Sequence, residues 1–278
     1  LEPDSGSARM IPAAFAYQRA SSVDEASRLL GQPGDVKLLA GGHSLIPLMR
    51  LRLAQPTMLV DINGLAGDLG YIRRDNGALR IGALTRHYQI QQSADVQGSL
   101  PLLAAVAGEV GDEQVRSMGT IGGVLAHADP AGDYSTLALM LDATITTNRR
   151  AIAARDFFKG LFTSALAADE LIVEVSFPVA TGPHRYEKFR RRLSDWAIVG
   201  VGAQRMDDGQ WRIGITNAAP TPVRATAVEQ ALASGASAAD AARQAGQGLD
   251  PTADLRGSVA YKLHLAQVLT QRAIEGAG

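Results

Sequence analysis

The chain has 278 residues, 46% of them hydrophobic and 20% charged, with a formal net charge of −1. That length and balance allow two globular domains with a large core, and exclude a nucleic-acid or membrane-surface role resting on bulk charge. Cysteine is absent, which excludes disulfides, thiolate zinc sites, iron–sulfur ligation and a cysteine nucleophile within this chain.

Five histidines (His43, His87, His127, His184 and His264) are scattered without an HExxH pattern, so no metal site is expected. No apolar run approaches the length of a membrane span and no secretory signal stands out, so a cytoplasmic protein is expected.

In chain order, residues 1–9 are polar and irregular, and Met10 reads as the natural start behind an expression remnant. Ser22 with Glu25 three residues on marks a helix start of capping-box type. The apolar run 36–39 predicts a buried strand, and residues 46–51 a helix with Pro47 in its first turn. Between them lies the glycine loop Ala40-Gly41-Gly42-His43-Ser44-Leu45. Residues 58–62 predict a strand, and 71–74 with 78–83 a hairpin turning on Asp75-Asn76-Gly77. Thr85 is expected to cap a helix through residue 92, and residues 100–110 form another.

A second glycine loop, Gly119-Thr120-Ile121-Gly122-Gly123, follows. Asp133 precedes a helix over 137–141, and strands are expected over 143–147 and 170–177. The run 180–183, with Gly182-Pro183, is the best domain boundary. Beyond it, 185–192, 196–206 and 211–217 read as a three-stranded antiparallel sheet, and helices near 226–232, 238–245 and 259–274 close the chain. The last helix is expected to bury Val259, Leu263, Ala266 and Ala273. Strands first and helices behind them make the fold α+β.

Paired glycines between a strand and a helix let the backbone turn sharply and present successive N–H groups to a phosphate. Neither loop fits GxxxxGK[ST] or GxGxxG, so the site is neither of Walker nor of Rossmann type. Two such loops far apart in sequence could clamp one ligand from two sides.

Five ordered blocks carry a family resemblance. They are Leu39-Ala40-Gly41-Gly42-His43-Ser44-Leu45-Ile46-Pro47; Leu59-Val60-Asp61-Ile62; residues 116–123 with Ala126-His127-Ala128-Asp129-Pro130; residues 186–192 with Asp195-Trp196-Ala197-Ile198-Val199; and Thr221-Pro222-Val223-Arg224-Ala225. The chain resembles the flavin subunit of the molybdenum hydroxylases, above all the medium subunit of aerobic carbon monoxide dehydrogenase, over nearly its whole length. The resemblance implies a two-lobed FAD-binding domain of the vanillyl-alcohol-oxidase (PCMH) type over 10–180. A smaller C-terminal domain over 184–278 follows it. It implies non-covalent FAD, a molybdenum-cofactor large subunit and an iron–sulfur small subunit as partners, and a dimer of heterotrimers. Val124, Ser135-Thr136 and Asn148-Arg149-Arg150 depart from the family pattern, but every glycine of both loops is kept.

By the same resemblance, Leu39, Ala40, Gly41, Gly42, His43, Ser44 and Leu45, with Thr120, Ile121, Gly122 and Gly123, surround the pyrophosphate. His43 either touches the cofactor or packs under its own loop, and Ser44 either binds phosphate or caps a helix. Asp133 either accepts from sugar or ribityl hydroxyls or caps the helix after it. Leu171 and Ile172 line the flavin ring or belong to an ordinary buried strand. Lys188, and after it Arg190, are the cations expected at the flavin N1–C2=O edge, unless the basic strand is merely a charged edge. Alternation sends Lys188, Arg190 and Arg192 to one face and Arg185 and Arg191 to the other. Trp196 either stacks on the isoalloxazine or fills the core between domains.

The function expected is electron transfer from a partner's iron–sulfur clusters through FAD to an external acceptor, with no catalytic residue on this chain. A self-contained flavin oxidase or reductase, and an assembly subunit that has lost the cofactor, are the alternatives.

Overall fold

The computed structural model describes residues 11–277. The stretch read as an expression remnant therefore lies outside the described residues.

The first lobe is a three-stranded parallel sheet of β1 (Ala16–Arg19), β2 (Val36–Leu39) and β3 (Met58–Asp61), with β3 in the middle. Parallel neighbours need crossovers. Helix Val23–Leu30 supplies the first, and the glycine loop with helix Leu45–Arg50 follows β2. Ser22 caps the first helix, its hydroxyl accepting from the N–H of Glu25 at 3.1 Å. The Glu25 carboxylate accepts from Ser21 rather than from Ser22, one residue away from a true capping box. Ala26, Leu29 and Leu30 of this helix pack with Val60, Ile62 and Leu65 as a first core.

The second lobe is an antiparallel sheet built from β4 (Ile72–Asp75), β5 (Ala78–Gly82), β6 (Thr144–Thr147), β7 (Ala151–Ala153) and, after the small ribbon β8 (Phe158–Gly160) and β9 (Thr163–Ser164), β10 (Ile172–Pro178). The strand order is β4-β5-β10-β6-β7. The expected hairpin turns on Asn76 and Gly77, both at positive φ. Helix Pro101–Gly108 is buried on nearly every side in the second core, with Leu79, Ile81, Leu125, Leu137, Phe157 and Phe177. Thr85 does not cap the helix that follows it. Its hydroxyl donates to the carbonyl of Tyr71 at 2.9 Å, and helix His87–Gln92 begins one residue later with Arg86 as N-cap.

The C-terminal sheet contains the three expected strands, β11 (His184–Phe189), β12 (Val199–Arg205) and β13 (Trp211–Thr216). A short fourth, β14 (Val223–Arg224), pairs with Gly214 and Ile215. Helix Val259–Gly276 covers one face with Leu265, Ala266, Leu269, Ala273 and Ile274. The buried stripe is rotated from the one expected: Val259 is exposed and Lys262 is buried. Lys262 tolerates this because its ammonium reaches the Thr252 carbonyl and Asp254, both at 2.9 Å, while its stem lies on apolar surface.

The other face of that sheet meets helix Asp133–Met140 of the second lobe. Small residues permit the approach. A Cβ on Gly214 would stand 2.6 Å from Thr136 Cγ2, and one on Gly202 would stand 2.9 Å from Met140 Sδ. Thr216 donates to the Thr136 hydroxyl across the contact at 2.8 Å. Thr136, a departure from the family pattern, therefore binds the two domains together.

Candidate FAD site

In the first glycine loop, β2 ends at Leu39 and the chain turns through Gly42 at φ 73° into helix Leu45–Arg50. Among the described residues no acceptor takes the N–H groups of Gly42, His43 or Ser44. His43 is exposed rather than packed beneath the loop. Its Nδ1 lies 2.9 Å from the Gly41 carbonyl, and a carbonyl only accepts, so Nδ1 is the donor. Ser44 is also exposed, and its side chain makes no cap hydrogen bond. Leu39, Ala40 and Leu45 are half-buried and form the base of the turn.

The second loop is different in kind. Ile121 N–H donates to Thr85 O and Gly122 N–H to Ala83 O. Gly123 N–H donates to the hydroxyl of Thr120, which is the N-cap of helix Ile121–His127. Thr120, Ile121 and Gly122 are buried, whereas Gly123 is exposed. Beneath the loop lies His87, whose Nε2 would stand 2.4 Å from a Cβ on Gly119. Burial, aided by the Arg86 charge, lowers the His87 pKa to about 3, so this imidazole is neutral at physiological pH.

The two loops touch. A Cβ on Gly41 would lie 2.5 Å from the Met118 carbonyl oxygen and 2.8 Å from Gly119 Cα, so the first loop rests directly on the second. Behind this seam stand two residues that sequence reasoning missed, Asn63 and Arg86. Asn63 Nδ2 donates to Ala40 O at 2.9 Å, and Arg86 donates to Met118 O and to Asn63 Oδ1. In sequence Asn63-Gly64 resembles an ordinary turn, and no pattern marks Arg86. Burial works against ionised Asp61, yet hydrogen bonds from Tyr17 and Asn63 hold its carboxyl below the usual range and anchor Asn63 in turn.

The residues expected at the ribityl and ring parts of the cofactor do not all come together. Asp133, Lys188 and Arg190 come together at the contact between domains. Lys188, 3% exposed, donates to Asp133 Oδ2 at 2.8 Å and to Glu109 O at 2.9 Å. Tyr186 donates to Asp133 Oδ1 at 2.5 Å, and burial together with the Asp133 charge pushes its phenol pKa well up. Both carboxylate oxygens of Asp133 thus have partners, and the helix N-cap is Gly132, not Asp133. Arg190 lies beyond the end of β11, so strand alternation does not govern it; its guanidinium pairs with Glu109 at 2.6 Å. It lines an open cleft of about 430 Å³ with Glu109, Arg116, Leu193 and Ser194.

Leu171 and Ile172 are buried instead, their side chains in the first and second cores respectively. Trp196, two residues beyond the cleft-lining Ser194, does not fill a core between domains: it is 56% exposed, with the Arg256 guanidinium 5.7 Å from its ring centre.

Residues 13–180 match the model of the FAD binding domain in molybdopterin dehydrogenase, and residues 184–277 match the CO dehydrogenase flavoprotein C-terminal domain. The chain belongs to the flavoprotein family of the molybdopterin dehydrogenases. Among members of that family it is 39% identical to the carbon monoxide dehydrogenase medium chain of Hydrogenophaga pseudoflava, over 96% of this chain and 98% of the relative. It is 37% identical to the 6-hydroxypseudooxynicotine dehydrogenase complex subunit alpha of Paenarthrobacter nicotinovorans, over 95% of each. A solved CO dehydrogenase chain from Oligotropha carboxidovorans superposes with a TM-score of 0.92 at 35% identity, over 96% of this chain and 98% of that one.

The residues fit the cofactor of this flavoprotein family. N–H groups of Gly42, His43 and Ser44 without acceptors among the described residues, a left-handed glycine and a loop free of acidic side chains suit a diphosphate. Among the described residues no group of three or more His, Asp or Glu could hold a metal ion, and no helix is long and apolar enough to cross a membrane.

Proposed function

We propose that this flavoprotein carries FAD in an electron-transfer complex, with the first glycine loop donating to the pyrophosphate and the second loop forming the wall against which it sits. The observation that carries this reading is the seam itself. Two glycine loops about eighty residues apart meet backbone to backbone, and among the described residues no acceptor takes the N–H groups of Gly42, His43 or Ser44 in the first. Buried or ligand-facing N–H groups need partners, and the oxygens of a diphosphate supply them with charge-assisted bonds.

The ring end of the cofactor is assigned to the side of the cleft lined by Arg190, Leu193 and Ser194, two residues before Trp196. There Arg190 supplies a guanidinium, paired with Glu109, and the nearby Trp196 supplies an exposed flat face. Lys188 acts at one remove, by fixing Asp133 and the Glu109 carbonyl and hence the cleft wall. FAD supplies one- and two-electron redox chemistry; the chain supplies binding, orientation and electrostatic tuning.

The partners proposed are a molybdenum-cofactor large subunit, which selects the substrate, and an iron–sulfur small subunit, which delivers electrons. The assembly proposed is a dimer of heterotrimers in the cytoplasm. A chain with no cysteine cannot hold thiolate-ligated clusters, so they must lie on another subunit.

Gly42→Asp tests the site. It adds a negative charge to the loop and a Cβ 2.7 Å from Ile46 Cδ1 at a left-handed backbone position, so the loop's donors are displaced; the loss of even one or two charge-assisted bonds corresponds to about a tenfold to several-hundredfold weaker FAD binding. Flavin fluorescence titration of the purified chain measures it, and a variant that binds FAD as tightly as wild type refutes the assignment. Co-expression with candidate partner subunits, followed by size-exclusion chromatography with iron and molybdenum analysis, tests the assembly.

A further inference from the structure

The first loop follows the edge strand β2, and its N–H groups must be held at a fixed distance from the second loop to grip one ligand. The side chains that set this distance lie behind the seam. Asn63 follows β3, and its amide Nδ2 donates to Ala40 O at 2.9 Å and to Leu39 O at 3.4 Å, the carbonyls that lead into the first loop. Its Oδ1 accepts from Arg86 Nη2 at 2.6 Å. The other arm of that guanidinium, Nη1, donates to Met118 O, the carbonyl that leads into the second loop. Met118 O is also the atom nearest to a Cβ on Gly41. The backbone of Arg86 pairs with Thr120 as an isolated antiparallel bridge, so one residue holds the second loop by both main chain and side chain.

We infer that Asn63 and Arg86 form a strut that fixes the spacing of the two glycine loops, acting as positioning residues for the FAD pyrophosphate without touching it. The chemistry suits these residue types. Asn offers donors on one side and an acceptor on the other, so it can hold carbonyls of the first loop while receiving the guanidinium. Arg presents several donors in a rigid plane, so it reaches two acceptors on different segments at once, which a lysine ammonium on a flexible stem does with less geometric definition. Asp61 completes the base: its Oδ1 accepts from Asn63 N at 2.8 Å and from Nδ2 at 2.7 Å, fixing the amide from below.

The inference deepens the FAD reading and rests on it. The test uses the purified full-length chain, with FAD and ADP as ligands, and four variants: Asn63→Ala, Arg86→Gln, Arg86→Lys and the double Asn63→Ala/Arg86→Gln. FAD affinity is read by flavin fluorescence and ADP affinity by competition; thermal midpoints are followed without ligand. The strut predicts that each single variant weakens FAD by about tenfold, the factor of one charge-assisted hydrogen bond. ADP should weaken by the same factor, because the effect acts at the diphosphate and not at the ring. The double variant should be no weaker than the weaker single, because either loss breaks the same linkage. Arg86→Lys should recover only part of the affinity, although it keeps the charge.

Wild-type affinity in both single variants, strictly additive losses in the double, or full rescue by Arg86→Lys would overturn the strut. If Arg86→Gln fails to fold, Asn63→Ala and Arg86→Lys decide alone: undiminished FAD and ADP binding in both overturns the inference. A wild-type chain that binds no FAD would instead refute the cofactor reading, so the two failures are distinguishable.

Discussion

The two glycine loops look alike in sequence and differ in almost everything physical. The first exposes His43 and Ser44, turns through a left-handed glycine, and leaves the N–H groups of Gly42, His43 and Ser44 without acceptors among the described residues. In the second, the N–H groups of Ile121, Gly122 and Gly123 are all taken, by Thr85, Ala83 and Thr120. Its glycines serve contact instead: a Cβ on Gly122 would stand 2.7 Å from Ala83 Cβ and 2.8 Å from Ala83 O. A glycine pair can thus mean open donors or close packing, and only the destination of each N–H separates the two. In the proposed FAD site, the first loop would grip the ligand and the second would back it.

This contrast can be broken most forcefully at Gly122. Gly122→Ala should destabilise the fold by about 1–3 kcal/mol through overpacking against Ala83, with FAD binding impaired only as a consequence. Urea denaturation of the ligand-free chain checks it; unchanged stability with lost FAD would show that Gly122 meets the ligand directly. A smaller effect is expected from Thr120→Val, which keeps the shape and removes the cap on Gly123. It should lower stability by about 1 kcal/mol, visible as a lower thermal midpoint. Unaltered stability would mean that the cap contributes nothing and that the hydroxyl is available to the cofactor.

The smallest change in stability belongs to the ring end. Because Trp196 is 56% exposed, Trp196→Ala should shift stability by no more than about 0.5 kcal/mol. It should nonetheless change the absorption and reduction potential of bound flavin if the indole lies against the ring. An unchanged spectrum and potential in the FAD-loaded variant would remove Trp196 from the site, and a sharp fall in stability would return it to a packing role.

Much of the architecture was legible because short-range chemistry governed it. Ser22 capped its helix, Asn76-Gly77 turned its hairpin, and the first loop came between the expected strand and helix. The errors have local causes of a kind that pattern reading misses. Thr85 bonds across to Tyr71 instead of capping, and Lys262 hides its ammonium among oxygens on an otherwise apolar face. β14 is two residues long and exists by pairing with β13, so no periodicity announced it.

Within the site, the sequence alone determined which stretches matter: two glycine loops, the basic strand and the tryptophan after it, tied by ordered resemblance to one flavoprotein family. Those features are encoded in residue type and neighbour order, which a linear reading retains. Tertiary structure alone decided which loop has donors to give, because an N–H is free or satisfied according to carbonyls far along the chain. It alone turned Asp133 and Lys188 into an ion pair between domains and left Trp196 exposed. It alone brought Asn63 and Arg86 behind the seam, since a hydrogen bond between residues 23 positions apart depends on where the sheet and helix carry them, not on any spacing in the sequence.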